Sequence, residues 1–508
     1  MSLGESVSPD VQVDAGRNDE RSSLSIAITS FDPTVDEARN RYQEARRRHW
    51  NQVARKLEIW TGWGGYYQKR LTEVYQSLIS PGQSVLELGC ARGDLLAAVK
   101  PSVGVGVDFS EEMIRAARSR HPHLRFVHAD AHALKLSDKF DVIILSDLLN
   151  DLWDVQTVLK NVSQFTAPRS RIIINVYSHL WEPFLKLAES LDLAKPNLYQ
   201  NWLTVEDIAS LLNLADWEVI KRGQEILLPL PIPLFAHLCN RFLVKLWPLK
   251  HLALTNLIVA RPQPKPSANA LSVSVIIPAR NEAGNIPEIF ARTPQMGKWT
   301  ELVFVEGHSR DNTYATIERE IARHAERCCQ LLRQTGEGKG DAVRLGFTHA
   351  RGDILMILDA DLTVPPEDLP RFYEVLCSGK GEFINGVRLV YPMEKQAMRF
   401  LNLLGNKFFS LAFSWLLGQL IKDTLCGTKV LWKRDYEVIA ANRAYFGDFD
   451  PFGDFDLIFG AVKLNMKLTD LPIRYRERTY GSTNIQRWKH GWLLVKMVMF
   501  AAKRLKFI

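Results

Sequence analysis

Hydrophobic residues recur along the chain in two patterns: short runs rich in Val, Ile and Leu, and longer segments with apolar residues every three or four positions. The first pattern predicts buried β-strands, and the second predicts amphipathic helices. The two alternate on both sides of RPQPKPSANA (261–270), in which prolines suit a stiff, exposed linker. Because such alternation is typical of parallel sheets, we expect two α/β domains, at 34–260 and 271–484.

The two ends of the chain depart from this pattern. Residues 1–33 are polar and are predicted to be disordered, whereas 34–79 alternate charged with apolar positions and predict helices. The end, 485–508, is a basic amphipathic tail. Between Leu471 and Ile508 there are nine Lys or Arg residues and one acid. The net positive charge of this segment therefore exceeds the net charge of +7 of the whole chain. The near-neutral remainder argues against a nucleic-acid partner.

Composition limits the class of protein further. A chain of 508 residues with 46% hydrophobic and 24% charged residues is globular. The six cysteines contain no CxxC pair, which favours a reducing compartment over a disulfide framework or zinc site. The N-terminus lacks the basic start and apolar core of a secretory signal. The longest uncharged apolar run, 408–421, is shorter than the roughly 20 residues of a membrane span. We therefore expect a cytoplasmic protein.

Polar residues follow each predicted strand of the first domain. SVLELGCARGD (84–94) contains Glu87 and a glycine-rich turn, and three later strands end near Asp108, Asp130 and Asp147. In a parallel sheet these positions lie at the carboxyl edge, where ligands bind. An acid after the second strand can accept hydrogen bonds from both hydroxyls of a ribose.

The segments ELGCARGD, VDFS, HADA and FDVIILSDLLNDL resemble the successive motifs of class I S-adenosylmethionine-dependent methyltransferases, which have a Rossmann-like sheet. The likeness covers about 80–262. It implies that Asp108 holds the ribose, that Asp130 and Ala131 contact the adenine, and that Asp147 lies near the reacting end. The positions that it places along the methionine and ribose are Glu87, Gly89, Cys90 and Gly93. A domain that has kept the fold as a non-catalytic scaffold is the alternative.

The second domain contains an apolar strand, RGDILMILDADL (351–362), that ends in Asp359 and Asp361. Two carboxylates that leave a buried strand are costly unless they are paired or metal-bound. Mg²⁺ typically takes one or two carboxylates together with substrate phosphates. A pair of helix caps before Pro365 and Pro366 is the alternative. A glycine-rich turn that carries Lys339 lies nearby in sequence.

IIPARNE, VEGHSRDNT, GKGDAVRLGF and LDADL together resemble glycosyltransferase family 2, which has the GT-A fold, and most of all its polyprenyl-phosphate sugar synthases. The resemblance implies inverting transfer from a UDP- or GDP-linked sugar, with Mg²⁺ or Mn²⁺ and the diphosphate held by Asp359 and Asp361. It places Lys339 near the donor, and Thr363 where such synthases often have Gln. The nucleoside would contact Pro278, Arg280, Glu282 and Glu306. The phosphate of a lipid acceptor would face Arg388, Arg399, Arg478 and Ser482.

The acceptor decides whether the reaction needs a base. Asp456 and Asp423 are the candidate bases if the acceptor is the hydroxyl of a glycan. A phosphate monoester needs little help, because its second pKa is about 6. In that case Asp456 is expected to orient Arg474 or Arg476.

Two segments predict contact with a membrane surface. In 397–421 a thin polar stripe interrupts an otherwise apolar helix, and 490–508 combines aromatic, aliphatic and basic residues. Both are typical of helices that lie in the interface, and the basic residues favour anionic lipid. Packing of 397–421 within the domain or in a dimer is the alternative. The sequence thus predicts a bifunctional transferase, peripheral on the cytoplasmic membrane face. The polar stripe consists of Arg399, Asn402, Asn406, Ser410 and Ser414.

Overall fold

The computed structural model describes residues 33–57, 64–190, 198, 200–266, 270–388, 400–445, 453–476, 478, 480 and 487–507. Most of the predicted disordered segment, together with Arg399 and Ser482, lies outside these ranges. The chain divides into a short unit, Met1–Ala45, and a large unit, Arg46–Ile508, which contains both sheets. The helices expected within 34–79 are α1 (Pro33–Leu57) and α2 (Gly64–Leu78).

The first sheet has seven strands in the order β3-β2-β1-β4-β5-β7-β6. Neighbouring strands are parallel except around β7, which is antiparallel to both β5 and β6. The strands are β1 (Ser84–Leu88), β2 (Val103–Asp108), β3 (Arg125–His128), β4 (Phe140–Ser146), β5 (Thr166–Tyr177), β6 (Trp217–Glu225) and β7 (Thr255–Pro262). The helices between them are α3 (Asp94–Ala98), α4 (Glu111–Arg120), α5 (Val155–Val162), α6 (Glu182–Ser190), α7 (Val205–Leu214) and α8 (Phe235–Arg241).

The second sheet also has seven strands, in the order β10-β9-β8-β11-β13-β12-β14. The first four are parallel, and β13 is antiparallel to both of its neighbours. The strands are β8 (Val273–Ala279), β9 (Thr300–Glu306), β10 (Cys328–Arg333), β11 (Ile354–Ile357), β12 (Phe383–Val387), β13 (Lys429–Trp432) and β14 (Leu468–Pro472). The helices are α9 (Ile286–Arg292), α10 (Thr313–Arg323), α11 (Gly338–His349), α12 (Leu369–Cys377), α13 (Phe400–Leu417), α14 (Lys433–Ala441), α15 (Asp454–Lys463) and α16 (Arg487–Ala501).

Both faces of each sheet are covered, which explains why the strands are nearly continuous apolar runs. Alternate side chains enter opposite cores: Val85 packs in one cluster, whereas Leu86 packs in another with Val105 and Ile143. The second sheet divides in the same way between two clusters. The strand order reverses at β8, between β9 and β11. Such a switch point forms a crevice at the carboxyl edge where ligands bind.

The predicted linker is wrong at its first two residues. β7 continues to Pro262, and Arg261 is 2% exposed. The reason is a long-range contact, since Arg261 pairs with Glu218 at 2.6 Å and donates from Nη2 to the carbonyl of Gly379 at 2.7 Å. Residues 261 and 262 therefore end the first sheet instead of separating the two domains.

A buried ion cluster joins the two sheets around Glu382. Its Oε2 accepts from Arg171 Nη2 at 2.7 Å and from the backbone N–H of Lys467 at 2.8 Å, and it lies 3.5 Å from Arg261 Nη1. Lys467 Nζ also lies 2.9 Å from Glu218 Oε1. Because these groups come from both sheets, the interface depends on matched charges as well as on apolar packing.

The helices expected at a membrane surface are partly buried. Phe413 and Leu417 of α13 and Leu494 and Met497 of α16 belong to one core cluster of the second sheet. Ser410 and Ser414 belong to the predicted polar stripe of α13, and each donates to the carbonyl of Ile421, at 2.8 and 3.0 Å. The serines of the stripe therefore bind the protein itself. Among the described residues, no helix has the length and hydropathy needed to cross a bilayer.

We predict that Glu382→Gln lowers the free energy of unfolding by about 3 kcal/mol, because it leaves buried guanidinium groups without their carboxylate. Chemical and thermal unfolding of the full chain measure the loss. Glu206→Gln removes a carboxylate that is 76% exposed and should change stability by less than about 1 kcal/mol. Equal effects of the two substitutions would contradict the role of the cluster.

Candidate active sites

Asp359 lies two residues beyond β11, at the carboxyl edge of the second sheet. Lys339, in the first turn of α11, contacts its Oδ1 with Nζ at 2.5 Å. Gly427 lies against both groups, and a Cβ at this position would collide with them. Burial alone would raise the pKa of the Asp359 carboxyl, but Lys339 and more distant cations lower it. The carboxylate is therefore held ionised beside a cation at the switch point.

Asp361 is held by a second set of contacts. Its Oδ1 accepts from the backbone N–H and the hydroxyl of Thr363, at 3.1 and 2.8 Å. Its Oδ2 lies 2.5 Å from Arg478 Nη2, and Arg478 Nη1 lies 3.4 Å from Glu282 Oε1. Arg478 thus bridges the loops after β8 and β11. Burial raises the pKa of Glu282 to about 7, although Arg478 lowers it.

The loop after β8 is fixed by hydrogen bonds to side chains of the loop after β9. The backbone N–H groups of Asn281 and Ala283 donate to Ser309 Oγ and Asp311 Oδ2, at 3.0 and 3.3 Å. Glu306 in turn accepts from the N–H of Ser309 at 2.5 Å. Glu306 is buried, Pro278 is half-buried and Arg280 is exposed. Sequence reasoning did not assign this role to Ser309 and Asp311, although both stand in the motif VEGHSRDNT.

Both candidate bases are engaged in ion pairs. Asp423 is 2% exposed and accepts from Arg388 through both oxygens, at 2.7 and 2.8 Å. Burial raises the pKa of Asp423, but Arg388 outweighs this and holds the pKa below its ordinary value. Asp456 accepts from Arg443 Nε at 2.9 Å, a partner that sequence reasoning did not name. Asp423 is therefore a weaker base than a free carboxylate.

In the first sheet, Asp108 at the end of β2 fastens the glycine-rich turn. Its two oxygens accept from the backbone N–H groups of Ala91 and Ser110, at 2.9 and 2.8 Å. Gly89 and Gly93 have φ angles of +70° and +74°, and a Cβ at Gly93 would lie 2.6 Å from the ring of Phe126. The turn therefore requires glycine at both positions.

Two buried carboxyl groups lie beside this turn. Asp108 is 7% exposed, and burial raises its pKa to about 6. Glu87 is 3% exposed, and burial raises its pKa well above its ordinary value. Within the described part of the chain, Glu87 Oε2 has no hydrogen-bond partner. Cys90 is also buried, and burial raises the pKa of its thiol, so this cysteine is not activated as a nucleophile. The pair suits a ligand that brings hydroxyl or amine donors.

The ends of β3 and β4 carry the remaining predicted residues. Asp130 Oδ1 accepts from the backbone N–H and Nδ1 of His132, at 2.9 and 2.7 Å, and Ala131 starts a short 3₁₀ turn. Asp147 accepts from Tyr67 Oη at 3.0 Å and from Asn175 Nδ2 at 2.6 Å. Sequence reasoning missed both partners. Tyr67 reaches Asp147 through the packing of α2 against the sheet, and Asn175 reaches it through the pairing of β5 with β4.

Helix α1 approaches the same edge of the sheet through its second half. Asn51 Oδ1 accepts from Ser110 Oγ at 2.6 Å, next to Asp108. Trp50 Nε1 donates to Asp151 Oδ2 at 3.0 Å. Val53 and Ala54 pack with Met113 in a small apolar cluster. Residues before the first strand thus help to enclose the predicted cofactor site.

Comparisons with known proteins identify both domains. Residues 274–435 match the model of glycosyl transferase family 2, and residues 79–220 match that of a methyltransferase domain. The chain therefore contains a glycosyltransferase family 2 domain and a methyltransferase domain, in the two sheets described above. Both matched families are families of transferases.

The curated relatives match a short part of this chain. The undecaprenyl-phosphate 4-deoxy-4-formamido-L-arabinose transferase of Shewanella sediminis is 38% identical over 110 residues, which are 21% of this chain and 33% of that protein. The protein of the same name from Edwardsiella ictaluri is 36% identical over 111 residues, 21% of this chain and 34% of its own length. The chain thus spans about a third of the relatives that it matches.

Among solved structures, N-methyltransferase NodS from Bradyrhizobium japonicum, in complex with S-adenosyl-L-homocysteine, aligns with 42% of this chain and 100% of its own. The sequence identity is 15% and the TM-score is 0.29. At this TM-score the likeness adds nothing to what the family model shows.

The buried carboxyl of Asp108 predicts a pH dependence of stability. Because its pKa is about 6 in the fold and 3.8 ordinarily, the folded chain binds more protons between these values, and stability falls as the pH rises. We therefore expect the free energy of unfolding, relative to that of Asp108→Asn, to increase on the order of 2 kcal/mol from about pH 7 to about pH 4. Asp138→Asn, at a half-exposed carboxyl, is the control. Parallel curves for all three proteins would refute the burial argument.

Proposed function

We propose that the chain is a bifunctional transferase. Its second domain moves a sugar, with inversion, from a UDP- or GDP-linked donor to a polyprenyl-phosphate-like acceptor. Its first domain transfers a methyl group from S-adenosylmethionine. The names of the relatives support the acceptor, and the two family matches support the two reaction classes.

The observation that carries the sugar-transfer proposal is the pair Asp359 and Asp361 beside Lys339 and Arg478. Two carboxylates and two cations lie together at a switch point, where a nucleotide diphosphate would bind. Lys339 and Arg478 can contact the diphosphate. Glu282 lies on the loop after β8, and Glu306 lies at the end of β9.

The same carboxylates fit a divalent cation. Among the described residues, no cluster of three or more potential ligands is present, but Mg²⁺ typically needs only one or two carboxylates when substrate phosphates complete its shell. Asp359 and Asp361 would hold Mg²⁺ or Mn²⁺, provided that the Arg478 side chain moves away from Asp361 Oδ2. When bound, the ion supplies charge neutralisation for the leaving diphosphate.

A phosphate acceptor fits the site better than a glycan hydroxyl. Asp423 and Asp456 are bound to Arg388 and Arg443, and the lowered pKa of Asp423 weakens it as a base. A phosphate monoester is already ionised near neutral pH. Arg478 is half-exposed beside Asp361 and can face such an acceptor; Arg388 is held by Asp423.

For methyl transfer, the protein mainly aligns the reactants. Asp108 would accept hydrogen bonds from the ribose, and Glu87 offers its unpartnered oxygen to the same ligand. Asp147 is oriented by Tyr67 and Asn175. A structural scaffold would have no need for two buried carboxyl groups with raised pKa values, since burying them opposes stability.

We predict that Asp361→Asn lowers sugar transfer at least about 100-fold, through loss of a charge that positions the diphosphate and its metal. The assay incubates the full chain with membranes and labelled nucleotide sugars, followed by lipid extraction. EDTA should inhibit the unmutated protein. Asp368→Asn removes a carboxyl elsewhere in the same domain and should retain activity. Full activity of Asp361→Asn, or in EDTA, would contradict the assignment.

We also propose that the chain attaches peripherally to anionic membranes. Large apolar side chains are exposed on both domains, including Leu234 (88%), Trp247 (78%), Leu411 (72%) and Phe408 (64%). The ring of Phe507 lies near aromatic side chains of both domains. Its centroid is 5.2 Å from that of Phe242 in the first domain and 5.7 Å from that of Trp415 in the second. Exposed patches of this kind mark membrane or partner sites, and nearby Lys and Arg residues favour anionic lipid.

We predict that Leu234→Ser/Trp247→Ser and Phe408→Ser/Leu411→Ser each weaken binding to phosphatidylglycerol vesicles about tenfold or more, by removing inserted apolar area. Vesicle sedimentation measures the effect. Leu214→Ser, at a residue that is 60% exposed on α7, is the control. If the unmutated chain does not sediment, or if the control loses as much binding, the membrane proposal fails.

A further inference from the structure

A cavity of about 820 Å³ lies between the two domains, apart from both sites described above. The first domain lines it with α2 and with 231–241, and the second with Tyr445, Lys463, Lys503 and Arg504. Neither the Asp359 cluster nor the glycine-rich turn contributes to its wall. Its size is within the roughly 300–1,000 Å³ typical of ligand pockets.

The wall of this cavity is strongly cationic. Among the described lining residues, Glu73 is the one carboxylate, and it is paired with Arg70 at 2.9 Å. Five positive charges therefore lie around the cavity without a matching acid in its wall. Such a concentration of like charge is unfavourable in a concave, partly desolvated space unless an anion binds there. These cations are Lys69, Arg241, Lys463, Lys503 and Arg504.

The surroundings of two of these cations are consistent with an anion site. Arg241 Nε is buried, and within the described residues it has no hydrogen-bond partner. Burial lowers the pKa of Lys463 to about 8, even though its Nζ donates to the carbonyl of Ser77 at 2.6 Å. Tyr445 contacts both α15 and the segment that follows α16. Its ring lies 4.4 Å from Lys463 Nζ, and its hydroxyl donates to the carbonyl of Arg504 at 3.0 Å. Contacts within the protein therefore hold these lining residues in place.

The rim of the cavity differs in character from its wall. Ile232 and Leu234 line it and are 43% and 88% exposed, and Pro231 and Pro233 alternate with them. An apolar rim over a cationic wall matches a molecule that has an anionic head and an apolar portion. Phosphate has several oxygens that can accept charge-assisted hydrogen bonds from Arg and Lys at once.

We propose that this cavity binds a phosphate-bearing ligand, held by cations from both domains. The phosphate can come from a lipid headgroup or from a soluble phosphate compound, and the two sources share the same recognition chemistry. Because both domains contribute to the wall, ligand binding would couple the methyltransferase domain to the glycosyltransferase domain. The inference is independent of the two proposed transfer activities.

The test is calorimetric titration of the full chain with inorganic phosphate and with dodecyl phosphate below its micellar concentration. We expect Lys69→Gln/Lys503→Gln to weaken binding of both probes about tenfold or more, the scale of a lost charge-assisted contact. Both lysines are exposed, so the substitutions should leave the fold intact. Arg241→Gln, on a different element, should give a similar loss.

One control locates the effect. Lys135→Gln/Lys139→Gln removes two exposed charges that do not line the cavity, and this variant should bind as the unmutated chain does. Tighter binding of dodecyl phosphate than of phosphate would support a lipid source, and equal binding a soluble one. Unchanged affinity in the cavity variants, or an equal loss in Lys135→Gln/Lys139→Gln, would overturn the proposal. Failure of the sugar-transfer assay would leave this result unaffected.

Discussion

The cost of burying a carboxylate at the end of a parallel strand governs both domains. Each sheet places acidic side chains at its carboxyl edge, where ligands bind. In the second sheet the cost is offset within the chain, since Lys339 and Arg478 neutralise Asp359 and Asp361. In the first sheet Asp108 is held by backbone N–H groups, and burial raises its pKa. In the first site, a bound ligand is therefore more important for offsetting the cost of burying the carboxyl group.

This constraint also explains features away from the acids themselves. Gly427 keeps room for the Lys339–Asp359 pair, and Gly93 lets the turn near Asp108 pass the ring of Phe126. The two sheets are held together by the charges around Glu382, with which the end of β7 pairs directly. Because the domains share this cluster and the walls of one cavity, they are packed together and not merely joined by a flexible segment.

The sequence predicted those features that depend on local pattern. Apolar runs that stop abruptly, as at Asp108 and Asp359, predict the strands and the acidic residues at their ends. Long-range contacts could not be predicted in this way. Arg443 as the partner of Asp456, Tyr67 as the partner of Asp147 and the burial of Arg261 depend on how distant elements pack. The stripe on α13 was recognised, but only the structure shows that Ser410 and Ser414 face the carbonyl of Ile421.

The central claim is that buried carboxyl groups at strand ends form working ligand sites, and titration of the full chain with S-adenosylmethionine tests it most directly. We expect saturable binding of one molecule per chain, weakened about tenfold or more in Asp108→Asn through loss of charge-assisted hydrogen bonds. Asp138→Asn should bind as the unmutated chain does. The absence of binding, or equal affinity in Asp108→Asn, would show that the first domain is a scaffold and would contradict the account.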